Sequence, residues 1–99
     1  MALRVKISAR AALHTRMAAE WWAANRPAAP DAVGKDVGAS IALLTEQPGI
    51  GSKYEGARTT GVRRLYLGRI GYFLYCRAID DTLEVLALWH ASRETQPRL

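Results

Sequence analysis

Val62-Arg63-Arg64-Leu65-Tyr66-Leu67, Tyr72-Phe73-Leu74-Tyr75-Cys76-Arg77 and Leu83-Glu84-Val85-Leu86-Ala87-Leu88-Trp89-His90 follow one another with only short breaks between them. All three are rich in β-branched, aromatic and aliphatic residues, and turn residues bound them, which predicts three consecutive strands at about 61–67, 72–78 and 82–90. Gly68 and Gly71 bracket the first turn, and Asp80-Asp81 suits a tight hairpin loop because aspartate tolerates turn conformations. That loop sets a register: Ile79 opposite Thr82, Ala78 opposite Leu83, Arg77 opposite Glu84. Extended by simple alternation, it places Phe73, Tyr75 and Arg77 on one face with Glu84, Leu86, Leu88 and His90. Tyr72, Leu74 and Cys76 then share the other face with Val85, Ala87 and Trp89. Both faces are largely apolar, so the hairpin is expected at the centre of its sheet.

Upstream the periodicity changes. Leu3, Val5 and Ile7 alternate with Arg4 and Lys6, the pattern of a short half-exposed strand. Ser8 is a candidate N-cap, and residues 9–25 read as an alanine-rich helix with Leu13, Met17 and Trp21 as its core stripe. Asn25-Arg26-Pro27 ends it. A second helix is expected from Pro30 or Asp31 to Glu46, with Val33, Val37, Ile41 and Leu44 inward and Pro48-Gly49 as its stop. Gly34 and Gly38 lie four residues apart inside this helix, each costing about 1 kcal/mol relative to alanine. They are expected to let the two helices of an αα-hairpin approach closely. Residues 49–60 read as a polar, glycine-rich loop. The expectation is one α+β domain over residues 1–99, ordered β-α-α-β-β-β, with an antiparallel sheet packed against a helical hairpin.

The formal net charge is +5, and residues 53–77 account for it: Lys53, Arg58, Arg63, Arg64, Arg69 and Arg77 face Glu55 alone. A basic patch of this kind favours RNA, DNA or an acidic protein surface. One cysteine, Cys76, cannot form an internal disulfide, and it is expected in the core of an inner strand. There is no membrane span and no signal-peptide pattern, so a cytoplasmic protein is expected. His14 and His90 are too far apart in sequence, with one cysteine, to suggest a metal site; neither metal nor cofactor is expected. His14 is expected on the exposed flank of the first helix, without a role.

The order of strand, helical hairpin and β-meander in about 100 residues resembles the RelE/ParE superfamily of toxins from type II toxin–antitoxin systems. The resemblance is carried by Asn25-Arg26-Pro27-Ala28-Ala29, by Leu43-Leu44-Thr45-Glu46-Gln47-Pro48-Gly49-Ile50-Gly51, by Gly61-Val62-Arg63-Arg64-Leu65, by residues 72–77, and by Leu86-Ala87-Leu88-Trp89-His90-Ala91-Ser92-Arg93. The Trp-His-x-x-Arg ending is more similar to the ParE branch. That branch implies inhibition of DNA gyrase by binding and neutralisation by a cognate antitoxin from an adjacent gene. The RelE branch implies ribosome-dependent mRNA cleavage, for which Arg64, Arg77, His90 and Arg93 would be the catalytic set. RelE-like cleavage needs a base, an acid and cations around the phosphorane. The segment after His90 holds no tyrosine or second histidine to complete such a set. A third possibility is a non-toxic module that only pairs with the antitoxin.

The expected target-binding residues are Arg63, Arg64, Arg77, Trp89, His90 and Arg93. Arg63 and Arg64 point to opposite faces of one strand, and the sequence does not say which faces the target. Arg77 also has Glu84 as an expected cross-strand partner. The expected antitoxin-binding residues are Leu13, Met17, Trp21, Trp22, Val37 and Ile41, with one indole in the core and the other at the helix edge as a docking anchor.

Overall fold

The computed structural model describes residues 2–99. The chain runs β1 (Arg4–Ile7), α1 (Ala9–Asn25), α2 (Ala32–Glu46), β2 (Ser52–Lys53), β3 (Arg63–Leu67), β4 (Tyr72–Ile79) and β5 (Thr82–His90). The sheet order is β1-β5-β4-β3-β2, so the β4–β5 hairpin is central as its apolar faces predict. The meander β3–β4–β5 is antiparallel, and β1 adds to it parallel to β5, which makes the sheet mixed. β2, inside the segment read as a loop, is a two-residue edge strand paired with β3. Two residues are too short to show a period.

Ser8 caps α1 as expected: its Oγ accepts from the Ala11 N–H at 3.0 Å. The core stripe of α1 differs from the expected one. Leu13, Met17 and Trp21 are 43%, 58% and 51% exposed, while Ala11 and Ala18 are buried and Trp22 packs against the core. The physical reason is size. Alanines allow the helix backbone to sit close to β5 and α2, and that turns the larger side chains outward. On α2 the buried face is Ala32, Val33, Val37 and Leu44, with Ile41 half-buried beside it. Gly34 and Gly38 do not serve helix–helix approach, since a Cβ on either would meet nothing within 4 Å. Their four-residue spacing falls on the solvent side of α2.

The register at the Asp80-Asp81 turn is as predicted from Ile79↔Thr82 to Arg77↔Glu84, and Asp80 adopts φ 54°. Beyond it a β-bulge intervenes: Cys76 pairs with Val85 but Tyr75 with Ala87, leaving Leu86 as the extra residue. Phe73 and Tyr75 therefore share their face with Ala87 and Trp89, not with Leu88 and His90. Two apolar clusters result. Leu74, Cys76, Leu83, Val85 and Leu88 pack under the helices, and Val62, Tyr75 and Ala87 lie on the other face beneath Tyr54, Phe73, Trp89 and Leu99. Cys76 is buried, and desolvation pushes its thiol up to about 12.

β1 covers the edge of β5 only as far as Val85. The start of α1 continues the job. The Ser8 N–H donates to the Val85 carbonyl (3.0 Å), Ser8 Oγ donates to the Leu86 carbonyl (3.1 Å), and the Leu88 N–H donates to His14 Nδ1 (3.3 Å). His14 is thus half-buried and holds a strand edge, rather than standing free on the helix flank.

Candidate interaction surfaces

The meander distributes its cations between two faces. Arg63 stands on the helix-side face with Cys76, and its Nη1 donates to the carbonyls of Gly49 (3.2 Å) and Gly51 (2.7 Å). The strand is close here. A Cβ on Gly51 would lie 2.9 Å from the Arg64 carbonyl oxygen, so only glycine fits. Arg64 stands on the opposite face with Tyr75. Its guanidinium lies 4.1 Å from the Phe73 ring centroid and 5.5 Å from that of Tyr54, and donates to Tyr75 Oη (3.2 Å) and Gln96 Oε1 (3.3 Å). Of the two arginines, Arg64 is on the face that the helices leave uncovered. Arg77 is paired with Glu84, its cross-strand neighbour, and both side chains are mostly buried. Arg69 makes a two-pronged pair with Asp36 (2.9 and 2.6 Å), and the hydrogen bonds, with the Asp36 charge, raise its pKa.

The residues after β5 fold back over the outer face. Trp89 Nε1 donates to the Thr95 carbonyl (2.8 Å), Tyr75 Oη donates to Gln96 Oε1 (3.0 Å), and Pro97 is buried. Thr59 Oγ1 donates to the Leu99 carbonyl oxygen (2.8 Å). Arg93 stacks on Trp89 at 3.8 Å.

His90 projects to the helix side, against Tyr72 (ring centroids 4.9 Å apart). Its Nδ1 accepts from the Ser92 N–H (3.1 Å) and lies 2.5 Å from Ser92 Oγ. His90 and Arg93 line a groove with Met17, Trp21 and Tyr72, which continues past Trp22 and Arg26 to the β3–β4 turn. Desolvation raises the Tyr72 pKa, with Arg93 opposing it. Trp22 Nε1 is buried in the wall without a partner, and Arg26 lies 6.0 Å from each indole centroid. Arg64 is held on the outer face by Phe73 and Tyr75, Arg77 is tied to Glu84, and His90 lies on the helix side, so the four residues Arg64, Arg77, His90 and Arg93 do not surround one point.

The antitoxin-side candidates divide in the same way. Leu13, Met17 and Trp21 form an exposed stripe at successive turns of α1, Trp22 and Ile41 are half-buried, and Val37 is inside the core and cannot contact a partner. Val37 was expected there because it shares an apolar stripe with Ile41, and that stripe is the inward one. Arg26 and Tyr72 are groove residues that the sequence reading left out. Arg26 was legible in principle: it follows Trp22 by four positions, hence one turn on the same side.

The element order is the one the sequence predicted for the superfamily, whereas the sheet, expected to be antiparallel, is mixed because β1 joins it parallel to β5. A family model described as the ParE toxin of the type II toxin–antitoxin system parDE matches residues 5–95. The chain belongs to the ParE toxin family. Among solved structures it is similar to a chain described as the chromosomal ParDE toxin–antitoxin system from P. aeruginosa, with TM-score 0.75 and 20% identity over 91% of this chain and 97% of that one. No curated protein matches the sequence. At that identity the structural likeness concerns the fold, and the family model places the chain in the ParE branch rather than the RelE branch. No described helix is long and apolar enough to cross a membrane.

Proposed function

We propose that this ParE toxin acts in the cytoplasm by binding DNA gyrase, without cleaving a substrate, and that an antitoxin from the adjacent gene holds it inactive. The observation that carries the binding reading is the dispersal of the polar groups. Arg77 is neutralised by Glu84, Arg63 clasps backbone carbonyls, and His90 spends Nδ1 on Ser92. General acid–base cleavage of RNA needs these groups converging on one phosphate. A binding surface does not. Arg64, stacked on Phe73 and held by Tyr75, is the cation best placed on the face away from the helices to meet a target, with Trp89 and Arg93 farther along it.

The antitoxin reading rests on the stripe of Leu13, Met17 and Trp21. Three large apolar side chains on successive turns suit an amphipathic partner helix, with Trp21 as its anchor. Arg10, Arg16, Arg26 and Arg93 lie on or beside this helix against Glu20, so acidic residues should border the partner's apolar face. The deciding experiment is a supercoiling assay with purified gyrase. Inhibition relieved by the antitoxin is expected, and full supercoiling at stoichiometric excess of toxin would remove the gyrase target.

A further inference from the structure

At the corner of the sheet farthest from α1, a cleft of about 250 Å³ opens between the end of α2 and the helix-side face of the meander. Its floor is apolar: Leu44, Leu65, Leu74 and Leu83. It exists because small residues occupy the corner. Ala78 and Gly61 reach its rim with little or no side chain, and the side-chain-free Gly49 and Gly51, held by the Arg63 guanidinium, form part of its wall.

Arg63 lines the cleft, and Lys53 stands beside it on the adjoining surface. Lys53 on β2 lies directly opposite Arg63 on β3. Like charges facing each other across a strand pair repel. Neither forms an ion pair among the described residues: the four ion pairs found there involve Arg4, Arg16, Arg69 and Arg77. Glu55 borders the adjoining surface beside Lys53 but pairs with neither. An anion brought between Lys53 and Arg63 would relieve that repulsion.

We propose that this corner is a docking site for a partner protein segment that carries a leucine-sized apolar side chain next to a carboxylate. The apolar chain enters the cleft and the carboxylate bridges Lys53 and Arg63. A leucine side chain fits the volume, and burying it against the four leucines supplies the hydrophobic part of the affinity. A nucleic-acid phosphate would satisfy the cations but leave the apolar floor empty, so the two features together favour a peptide. β2 is the sheet's edge strand, so an extended segment can also lie along it. This site is separate from the α1 stripe and does not depend on the reading of that stripe.

The test is an NMR titration of the isotopically labelled toxin with a blocked hexapeptide containing one leucine flanked by glutamates, at concentrations up to millimolar. Its glutamine counterpart and an oligothymidine run in parallel. The glutamate peptide is expected to shift the resonances of Gly51, Lys53, Arg63 and Ala78. The glutamine peptide should bind about fivefold more weakly, the scale of an exposed ion pair. Ala78→Leu, which fills the cleft, should abolish the shifts. Lys53→Gln, an exposed change that does not touch the core, should erase the preference for glutamate over glutamine. The proposal is overturned if these residues do not shift, if the two peptides bind equally, if Ala78→Leu binds as the wild type does, or if the oligothymidine shifts the same residues more strongly than the peptide.

Discussion

Trp21 and Trp22 are neighbours in sequence and opposites in environment. Their rings meet edge to face at 6.2 Å, yet Trp22 packs on the core and Trp21 is half exposed. On the antitoxin reading, Trp21→Ala weakens antitoxin binding by about 2 kcal/mol and barely changes the toxin's own melting temperature. Trp22→Ala destabilises the fold by about 3 kcal/mol. Calorimetry with antitoxin and thermal denaturation without it separate the two. His14 gives a pH signature. Burial, then Arg10 and Arg93, lower its pKa, and its Nδ1 must stay unprotonated to accept from Leu88. The unfolded chain therefore binds a proton at a higher pH than the folded one. The contribution is complete above the ordinary histidine pKa and is lost as pH falls through that value towards the lower folded one. His14→Gln should flatten the decline in melting temperature between neutral pH and about pH 5. An unchanged slope would assign the decline to other groups. The sequence separated the two indoles but not which lies inside, nor the role of His14, because an alanine-rich helix offers several apolar stripes and only the packed structure selects one. The Leu13–Met17–Trp21 spacing was read correctly as a stripe and assigned to the wrong side.

At the scale of elements, the alternating and helical periods located β1, α1, α2 and the meander, and the Asp80-Asp81 loop set the first three residue pairs of the hairpin. The sequence carried no mark of the bulge at Leu86, because both faces of β5 are apolar and either alternation reads equally well. Glycines show the same limit. Gly51 looked like one more loop glycine, whereas Gly34 and Gly38 looked structural. The structure reverses them. Gly51→Ala places a Cβ 2.9 Å from a backbone oxygen, and backbone cannot swing aside; a loss of about 1–3 kcal/mol is expected. Gly34→Ala and Gly38→Ala meet open space in a helix and should each stabilise by about 0.5–1 kcal/mol. Chemical denaturation of the three variants measures both signs at once. If either helix substitution destabilises, the account of α2 is wrong.

For the whole molecule, a chain of 99 residues buries limited apolar surface, and part of what is apolar here remains outside: Leu13, Met17, Trp21, Leu43 and Tyr66. Such a domain gains from a permanent partner. Linkage then predicts that antitoxin at a thousandfold excess over its Kd adds about 4 kcal/mol and raises Tm by on the order of 20 °C. A scan of toxin with and without antitoxin reads this directly, and coincident transitions would count against antitoxin binding. Charge at this scale was plain from composition, and strand alternation put Arg63 and Arg64 on opposite faces; which of the two faces lies under the helices was not legible. Arg63 and Arg64, adjacent in the chain, serve separate surfaces, one clasping the 49–51 segment and the other lying on aromatic rings.

The extra residue at Leu86 decides which way the end of β5 is turned. With it, Trp89 lies on the outer face and His90 meets Tyr72 under the helices. Deleting that single position would exchange them, sending the imidazole outward and the indole beneath α1. Two relatives could therefore spell the same Trp-His ending and offer opposite chemistry to their surroundings, so a motif transferred between them by spelling alone carries its meaning only where the strand keeps its count.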